Sequence, residues 1–206
     1  MRARSTTIRG DPRSIDDGVA YLRDEALPAM QQMDGFIGPS VLAERLTGRC
    51  IVTSAWTDPQ ALHASDARIR PMREEMARRF RGPVEVQDWD VVVLHRVHRT
   101  APGACARVTW ARAVHKPMDR FVPAYRSNLM PRLEELPGFC SLSLLVDPQS
   151  GRAVGVESFE NRETLEHTRG DARALREEFS SAMGAQVTEV AEMDLVLAHL
   201  RVPVTV

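Results

Sequence analysis

The sequence predicts an α+β protein made of two copies of one β-α-β-β-α-β unit, placed one after the other in a chain of 206 residues. Two observations carry this prediction. The chain resembles itself at a constant offset, and each copy alternates short apolar strand patterns with longer stretches of helical spacing. A third observation, that the last strand of each copy is apolar on both faces, predicts how the copies pack.

The internal repeat is found when the chain is compared with itself at an offset of 103 residues. DGFIGPSVLAERLTGR at 34–49 then aligns with PGFCSLSLLVDPQSGR at 137–152, and the match extends upstream and downstream without a gap. A constant offset over this length indicates duplication. The predicted organisation, in chain order, is a first domain at 1–98, a linker at 99–105 and a second domain at 106–206.

Each copy begins with a short strand and a helix. The strands are predicted at 3–9 and 106–113, and the helices at about 14–32 and 117–135. Ser14, which is followed three residues later by an aspartate, is predicted to cap the first of these helices.

A β-hairpin follows in each copy. Its loops, ERLTGR and DPQSGR, place Gly48 and Gly151 where a left-handed residue is needed. The predicted hairpin strands are 36–43 with 49–57, and 139–147 with 152–159.

A second helix and a long final strand complete each copy. The helices are predicted at 59–80 and 162–183, with Asp58 and Asn161 at equivalent N-cap positions. Their apolar residues recur at helical spacing opposite a charged face. The final strands, rich in Val and Leu, are predicted at 84–98 and 187–202.

This order of elements is ferredoxin-like, so two helices cover one face of a four-stranded antiparallel sheet and leave the other face bare. Segments such as VVVLH and DLVLAHL are apolar on both sides, so the bare face must also be buried. Packing the two sheets against each other hides several hundred Å², worth on the order of 10 kcal/mol at most. The predicted fold class is therefore two tandem ferredoxin-like domains, packed sheet to sheet as an intramolecular barrel.

Composition excludes several classes of function. Hydrophobic residues make up 43% of the chain and charged residues 27%, with a formal net charge of −1, so neither a nucleic acid nor a membrane partner is expected. No signal peptide or membrane-spanning run is found, and three scattered cysteines favour a reducing, cytoplasmic compartment. No metal-ligand spacing or nucleotide-binding motif is present, so no cofactor or metal is expected.

The pattern Gly-Phe-x₃-Ser-x-Leu, then Gly-Arg, then Trp or Phe-x₅-Leu runs from Gly35 to Leu62 and again from Gly138 to Leu165. With the order of elements, it resembles the dimeric α/β-barrel superfamily, and most of all its antibiotic biosynthesis monooxygenase (ABM) group. The resemblance implies a pocket between each sheet and its covering helices. It also implies that the usual pair of single-domain chains is fused here.

Candidate site residues are concentrated in the second copy, which carries the larger and more polar side chains at several equivalent positions. The first copy has Thr7, Gly18 and Leu22 where the second has aromatic residues. We expect the open pocket in the second copy, and its candidate residues are Trp110, Arg112, Phe121, Tyr125, Asn128, Phe159, His167 and Thr168. Further candidate bases on the final strands are His95, His98 and His199.

The resemblance implies two alternatives that the sequence leaves open. The first is a cofactor-independent monooxygenase that acts on a polycyclic phenol or a similar small apolar substrate. The second is a non-catalytic barrel that binds a small apolar ligand or haem. Haem-degrading members use an Asn on the first strand and a Trp and a His on the second helix, and none of these stands at the matching positions here. A homodimer of the fused barrel is one assembly that the resemblance allows, and the sequence leaves the oligomeric state open.

Overall fold

The computed structural model describes residues 1–113 and 118–198. Its strands hydrogen-bond in the order β1-β3-β2-β8-β5-β7-β6-β4, which closes on itself as an antiparallel barrel. The strands are β1 Arg2–Arg9, β2 Phe36–Glu44, β3 Arg49–Trp56, β4 Val84–Arg96, β5 Cys105–Ala113, β6 Phe139–Asp147, β7 Arg152–Phe159 and β8 Ala185–Ala198. The predicted α+β fold class is confirmed. The part of the predicted last strand beyond residue 198 lies outside the described residues.

Helices occupy the connections that the repeat predicts. Each first helix is interrupted by one π-helical turn, at Leu22–Ala26 and at Tyr125–Leu129. Such turns are rare, and they are frequently found at functional sites. The α-helices are α1 Ile15–Tyr21, α2 Leu27–Met30, α3 Pro59–Ala64, α4 Asp66–Phe80, α5 Met118–Ala124, α6 Met130–Glu134, α7 Arg162–His167 and α8 Arg169–Met183.

The predicted turn and cap residues are confirmed at four positions. Asp58 accepts a hydrogen bond from the Ala61 amide at 2.8 Å, and Asn161 caps the equivalent helix α7 in the same way. Gly48 and Gly151 have φ angles of 75° and 67°, so both hairpin loops use the left-handed conformation that favours glycine.

Two local predictions are wrong. Ser14 makes no capping hydrogen bond, and the side chain of Asp11 instead caps a short 3₁₀ turn at Pro12–Ser14. The predicted second helices each divide in two, because the hydroxyl groups of Ser65 and Thr168 donate back to carbonyl oxygens three residues earlier. Back-bonding of this kind bends a helix.

The described chain forms two compact units. The first comprises described residues 1–90 and 193–198, and the second comprises 91–113 and 118–192. The unit boundaries fall inside β4 and β8. The domains predicted from the sequence, 1–98 and 106–206, each correspond to one copy of the repeat. This division stays a prediction.

Each unit has its own apolar core between its strands and its helices. In the first unit, Trp56, Leu62 and Phe80 are almost completely buried. The second unit buries Phe159 and Leu165 to the same degree. Within the described residues, no helix is long and apolar enough to cross a membrane.

Candidate functional site

A cavity of about 40 Å³ lies in the second unit, between the sheet and the helices that cover it. Small residues form its floor. In the register of β5 with β7, Ala111 pairs with Ala153 and Thr109 with Gly155. Because side chains alternate along a strand, these four residues and Glu157 face the cavity together. The space exists because no large side chain rises from this part of the sheet.

Three aromatic rings form much of the opposite wall. Phe121 lies on α5, Tyr125 begins the π-helical turn and Phe179 lies on α8. Ring centroids of Phe179 lie 5.4 Å from Phe121 and 5.6 Å from Tyr125, both in edge-on geometry. Phe121 and Tyr125 are buried, whereas Phe179 is half-buried. Phe179 is therefore the ring of this cluster that can turn aside at the surface.

The carboxyl group of Glu157 is the main polar feature of the cavity. Glu157 is only 2% exposed, and burial raises the pKa of its carboxyl from 4.5 to about 7, although the charges of Arg107 and Arg176 oppose the rise. Its Oε2 atom lies 3.8 Å from Nη1 of Arg107, which is an ion-pair distance but too long for a hydrogen bond. Glu157 can therefore change protonation state near neutral pH.

Arg107 is held behind this carboxyl by a fixed set of contacts. Its side chain is 1% exposed, and Nη2 donates to the Leu165 carbonyl oxygen at 2.6 Å and to Glu192 Oε1 at 3.2 Å. The guanidinium also lies over the ring of Phe159, 5.3 Å from its centroid. These partners satisfy much of the buried cation, so Arg107 acts as a positioned charge next to Glu157.

Three buried polar atoms of the cavity lining have no hydrogen-bond partner among the described residues: Thr109 Oγ1, Glu157 Oε2 and Arg176 Nη1. Buried polar atoms are nearly always satisfied, so an unsatisfied group calls for an explanation. Here the three atoms line one otherwise mainly apolar space. That arrangement is typical of a small-molecule site, where a few polar groups fix the orientation of the ligand.

The hydroxyl group of Tyr125 completes the polar set. A Cβ atom added at Gly155 would lie 3.3 Å from this hydroxyl oxygen, so the two residues meet across the cavity. Burial, and then the charge of Glu157, raises the pKa of Tyr125 well above its ordinary value of 10. The phenol therefore stays neutral and can donate a hydrogen bond.

Of the candidate residues from the sequence, Phe121 and Tyr125 line the cavity. Phe159 and Thr168 lie beside it, where both contact Arg107, and Thr168 Oγ1 is 3.5 Å from Nη1. The other four are not part of the lining: Arg112, Asn128 and His167 are exposed, and Trp110 is half-buried on the alternate face of β5. A ligand-binding role for these residues stays a prediction.

The two candidate histidines of the final strands that the structure describes are not part of the cavity lining. His95 is largely buried, with Nε2 3.2 Å from Glu134 Oε2, and His98 is exposed. His199 lies outside the described residues.

Sequence reasoning missed the carboxyl and the cations of the site. On β7, Glu157 is an even number of positions from the inward residues Ala153, Gly155 and Phe159. Because side chains alternate along a strand, this spacing was the available signal that Glu157 also faces inward. A charged residue at an inward strand position is unusual enough to mark a site. The offset of 103 residues offered a second signal, since it places Ser54 opposite Glu157.

The first unit fills the corresponding space. In the same register of β1 with β3, Ile8 pairs with Cys50 and Thr6 with Val52, and all four are buried. Three of them are larger than Ala111, Ala153 and Gly155, the residues at the matching places of the second unit. The ring of Phe80 lies directly over Gly18, where an added Cβ would come within 2.3 Å of it.

The fold of this chain is shared with solved structures of other proteins. Solved structures with this fold are ABM-like monooxygenases and related dimeric α/β-barrel proteins. A proposed monooxygenase from Lactobacillus acidophilus NCFM has a TM-score of 0.71 at 11% identity, over 100% of this chain and 98% of that chain. An anthrone oxidase-like protein has a TM-score of 0.68 at 9% identity, over 98% and 94%.

A heme-degrading enzyme from Listeria monocytogenes, LmHde, is a more distant structural neighbour, with a TM-score of 0.56 at 12% identity over 95% of this chain and 99% of that chain. At these identities, each likeness concerns the fold alone. No protein-family model matches the chain.

The chain belongs to the family of two Mycobacterium tuberculosis proteins, Rv2557 and Rv2558. Uncharacterized protein Rv2557 of strain ATCC 25618 / H37Rv is 44% identical over 201 residues, which cover 98% of this chain and 90% of Rv2557. Uncharacterized protein Rv2558 of the same strain is 45% identical over 202 residues, which cover 98% of this chain and 86% of Rv2558.

Proposed function

We propose that the second unit is the working half of a cofactor-independent oxygenase, in which Glu157 withdraws a proton from a small phenol or enol. The observation that carries this proposal is the buried, unpartnered oxygen of Glu157 in an otherwise mainly apolar cavity. A carboxyl whose pKa is about 7 is half ionised at neutral pH, which is the condition for a general base.

The reaction needs only the substrate and O₂. Once the substrate is an anion, it can reduce O₂ directly. For an anthrone-type substrate, a CH₂ group becomes a carbonyl group and supplies all four electrons, while one oxygen atom enters the product and the other leaves as water. The protein contributes desolvation, orientation and charge: Arg176 and the hydroxyl groups of Thr109 and Tyr125 can donate to the developing oxyanion.

The small volume of the cavity favours a substrate at the small end of this class. A cavity of about 150 Å³ holds benzene, and this cavity encloses about 40 Å³. A ring would therefore enter only when the half-buried side chain of Phe179 turns aside. Fused polycyclic phenols would need a larger movement of α8.

The test is O₂ uptake, measured with an oxygen electrode on a panel that runs from pentane-2,4-dione through phenols to anthrone. No flavin or metal is added, and the rate without protein is subtracted. We expect uptake with at least one compound, and a loss of about 10²-fold or more in Glu157→Gln. The matched control is Glu160→Gln, which changes an exposed carboxyl just beyond the same strand. No uptake above background across the panel would overturn the oxygenase.

Binding without turnover is the second candidate, and the small volume of the cavity favours it. This function predicts saturable shifts in the NMR spectrum of the cavity residues on titration with the same panel, with no O₂ uptake. Haem binding is tested separately by titration, since it requires a Soret band. No histidine among the described residues lines the cavity.

A cytoplasmic location and a homodimer of the fused chain stay predictions. Fractionation of cells and light scattering of the purified protein test them in turn.

A further inference from the structure

We propose that the cavity takes the head group of its ligand as a small oxyanion, a carboxylate or enolate, and that Glu157 holds a proton while this anion is bound. The inference deepens the proposed function by naming the charge of the bound head group. The inference rests on the proposed function only for the location of the ligand, which both place in this cavity.

Arg176 supplies the first argument. Its side chain lines the cavity, its Nη1 atom is buried without a hydrogen-bond partner, and among the described residues no carboxylate lies within the 4.0 Å of an ion pair. Arg107 is different, because Glu192 and the Leu165 carbonyl oxygen already accept from it. A partly buried cation without a carboxylate in direct contact is poorly compensated, and a ligand anion bound in the cavity would provide that contact.

The groups around Glu157 supply the second argument. Arg107 faces it from β5, Arg176 from α8 and Tyr125 from the π-helical turn, while Glu192 on β8 is already paired with Arg107 and Arg169. From β6 the cavity receives only the apolar side chain of Leu144.

An anion bound next to an ionised Glu157 would be repelled, and the carboxylate would compete with it for Arg176. Protonation removes the repulsion and converts the carboxyl into a hydrogen-bond donor. The cavity then presents donors from Arg176, Thr109, Tyr125 and Glu157 to one ligand head. An oxyanion with two oxygen atoms can accept from all of them, whereas a neutral amide offers fewer acceptors and brings donors of its own.

The size of the cavity supplies a probe. A volume of about 40 Å³ holds roughly three water-sized groups, and acetate, with four heavy atoms, is the nearest simple carboxylate. Acetate is almost completely ionised from pH 6 to pH 9, so a large change of its affinity in this range reports on the protein.

The experiment is a titration with ¹³C-acetate, followed by NMR of the whole chain at each pH. If only the protonated form of Glu157 accepts the anion, a carboxyl pKa of about 7 makes the Kd about 90-fold larger at pH 9 than at pH 6. Calorimetry at pH 8 in two buffers of different ionisation enthalpy should show uptake of about one proton for each acetate bound.

Two variants and one neutral analogue complete the test. Glu157→Gln keeps a donor in place, so it should bind acetate with no pH dependence and no proton uptake. Arg176→Met should weaken acetate binding at pH 6 at least tenfold, and acetamide should bind the native protein more weakly than acetate at pH 6.

An acetate affinity that is equal at pH 6 and pH 9 in the native protein, or acetamide bound as tightly as acetate, would overturn the inference. Either result could coexist with Glu157-dependent O₂ uptake, so failure here is distinct from failure of the oxygenase.

Discussion

The buried carboxyl of Glu157 should make the stability of the protein depend on pH, and Glu157→Gln should remove that dependence. Burial raises the pKa of this carboxyl from 4.5 to about 7 in the folded protein. Between these values, the folded chain keeps a proton that the unfolded chain has lost. By linkage, the free energy of unfolding therefore falls as the pH rises, and the loss is complete above about pH 8.

The magnitude follows from the two pKa values. At 1.36 kcal/mol for each pH unit, a pKa that moves from 4.5 to about 7 costs about 3 kcal/mol at high pH. Over the practical range from pH 5 to pH 8, about 2.5 kcal/mol of this is expected. The glutamine variant has nearly the same shape, and its side chain does not titrate. Between pH 5 and pH 8, its free energy of unfolding should therefore rise by about 2.5 kcal/mol relative to that of the native protein.

Urea denaturation at pH 5 and pH 8 measures this difference. With a slope near 2 kcal/mol per molar urea, the midpoints of the two proteins should move relative to each other by about 1 M. Other titrating groups act equally on both proteins and cancel in the comparison. Glu160→Gln is the control, because this carboxyl is exposed. If Glu157→Gln follows the native pH profile to within about 0.5 kcal/mol, Glu157 does not titrate as a buried acid and its role as a base fails with it.

Three further substitutions test the cavity of the second unit, the filled space of the first unit and the support of Glu157. Gly155→Val should fill the cavity and abolish acetate binding seen by NMR, whereas its counterpart Val52→Ala in the first unit should leave binding within twofold. Gly18→Ala should lower the free energy of unfolding in urea by about 1–3 kcal/mol, since its Cβ meets the ring of Phe80 at 2.3 Å, and the added change Phe80→Leu should restore part of the loss. Arg107→Met should cost about 3–5 kcal/mol in the same assay, because it leaves buried acceptors unpaired; a loss below 1 kcal/mol would show that this cation is not needed.

The fold could be predicted from the sequence because it depends on signals that are local and repeated. Gly48 and Gly151 mark both hairpin loops by their need for a positive φ, and Asp58 and Asn161 mark helix starts by their side-chain caps. The π-helical turns could not be predicted in this way. A π-helix differs from an α-helix in that its hydrogen bonds join residues five apart instead of four. No residue type in LRDEA or YRSNL indicates this change.

Of the residues that line the cavity, the sequence pointed only to two aromatic ones. Phe121 and Tyr125 stood out because the first copy has Gly18 and Leu22 at the same places, and both line the cavity. Glu157 was missed because a lone charged residue in a short strand is normally at the surface. Its inward direction follows from the register of β7, and a shift of one residue would have turned it outward.

A comparison within the chain indicates that the fold itself does not require a carboxyl at this strand position. In the first unit, Ser54 stands at the matching place, where its hydroxyl accepts from the Trp56 indole at 3.1 Å and donates to the Arg4 carbonyl oxygen at 3.4 Å. That small polar group is satisfied without a titrating charge. Glu157 lies at the matching place on β7, the equivalent strand of the second unit, where its carboxyl has an unpartnered oxygen and a pKa raised by burial. Since the barrel can be built with serine at this point, the carboxyl is best explained by what it does to a ligand.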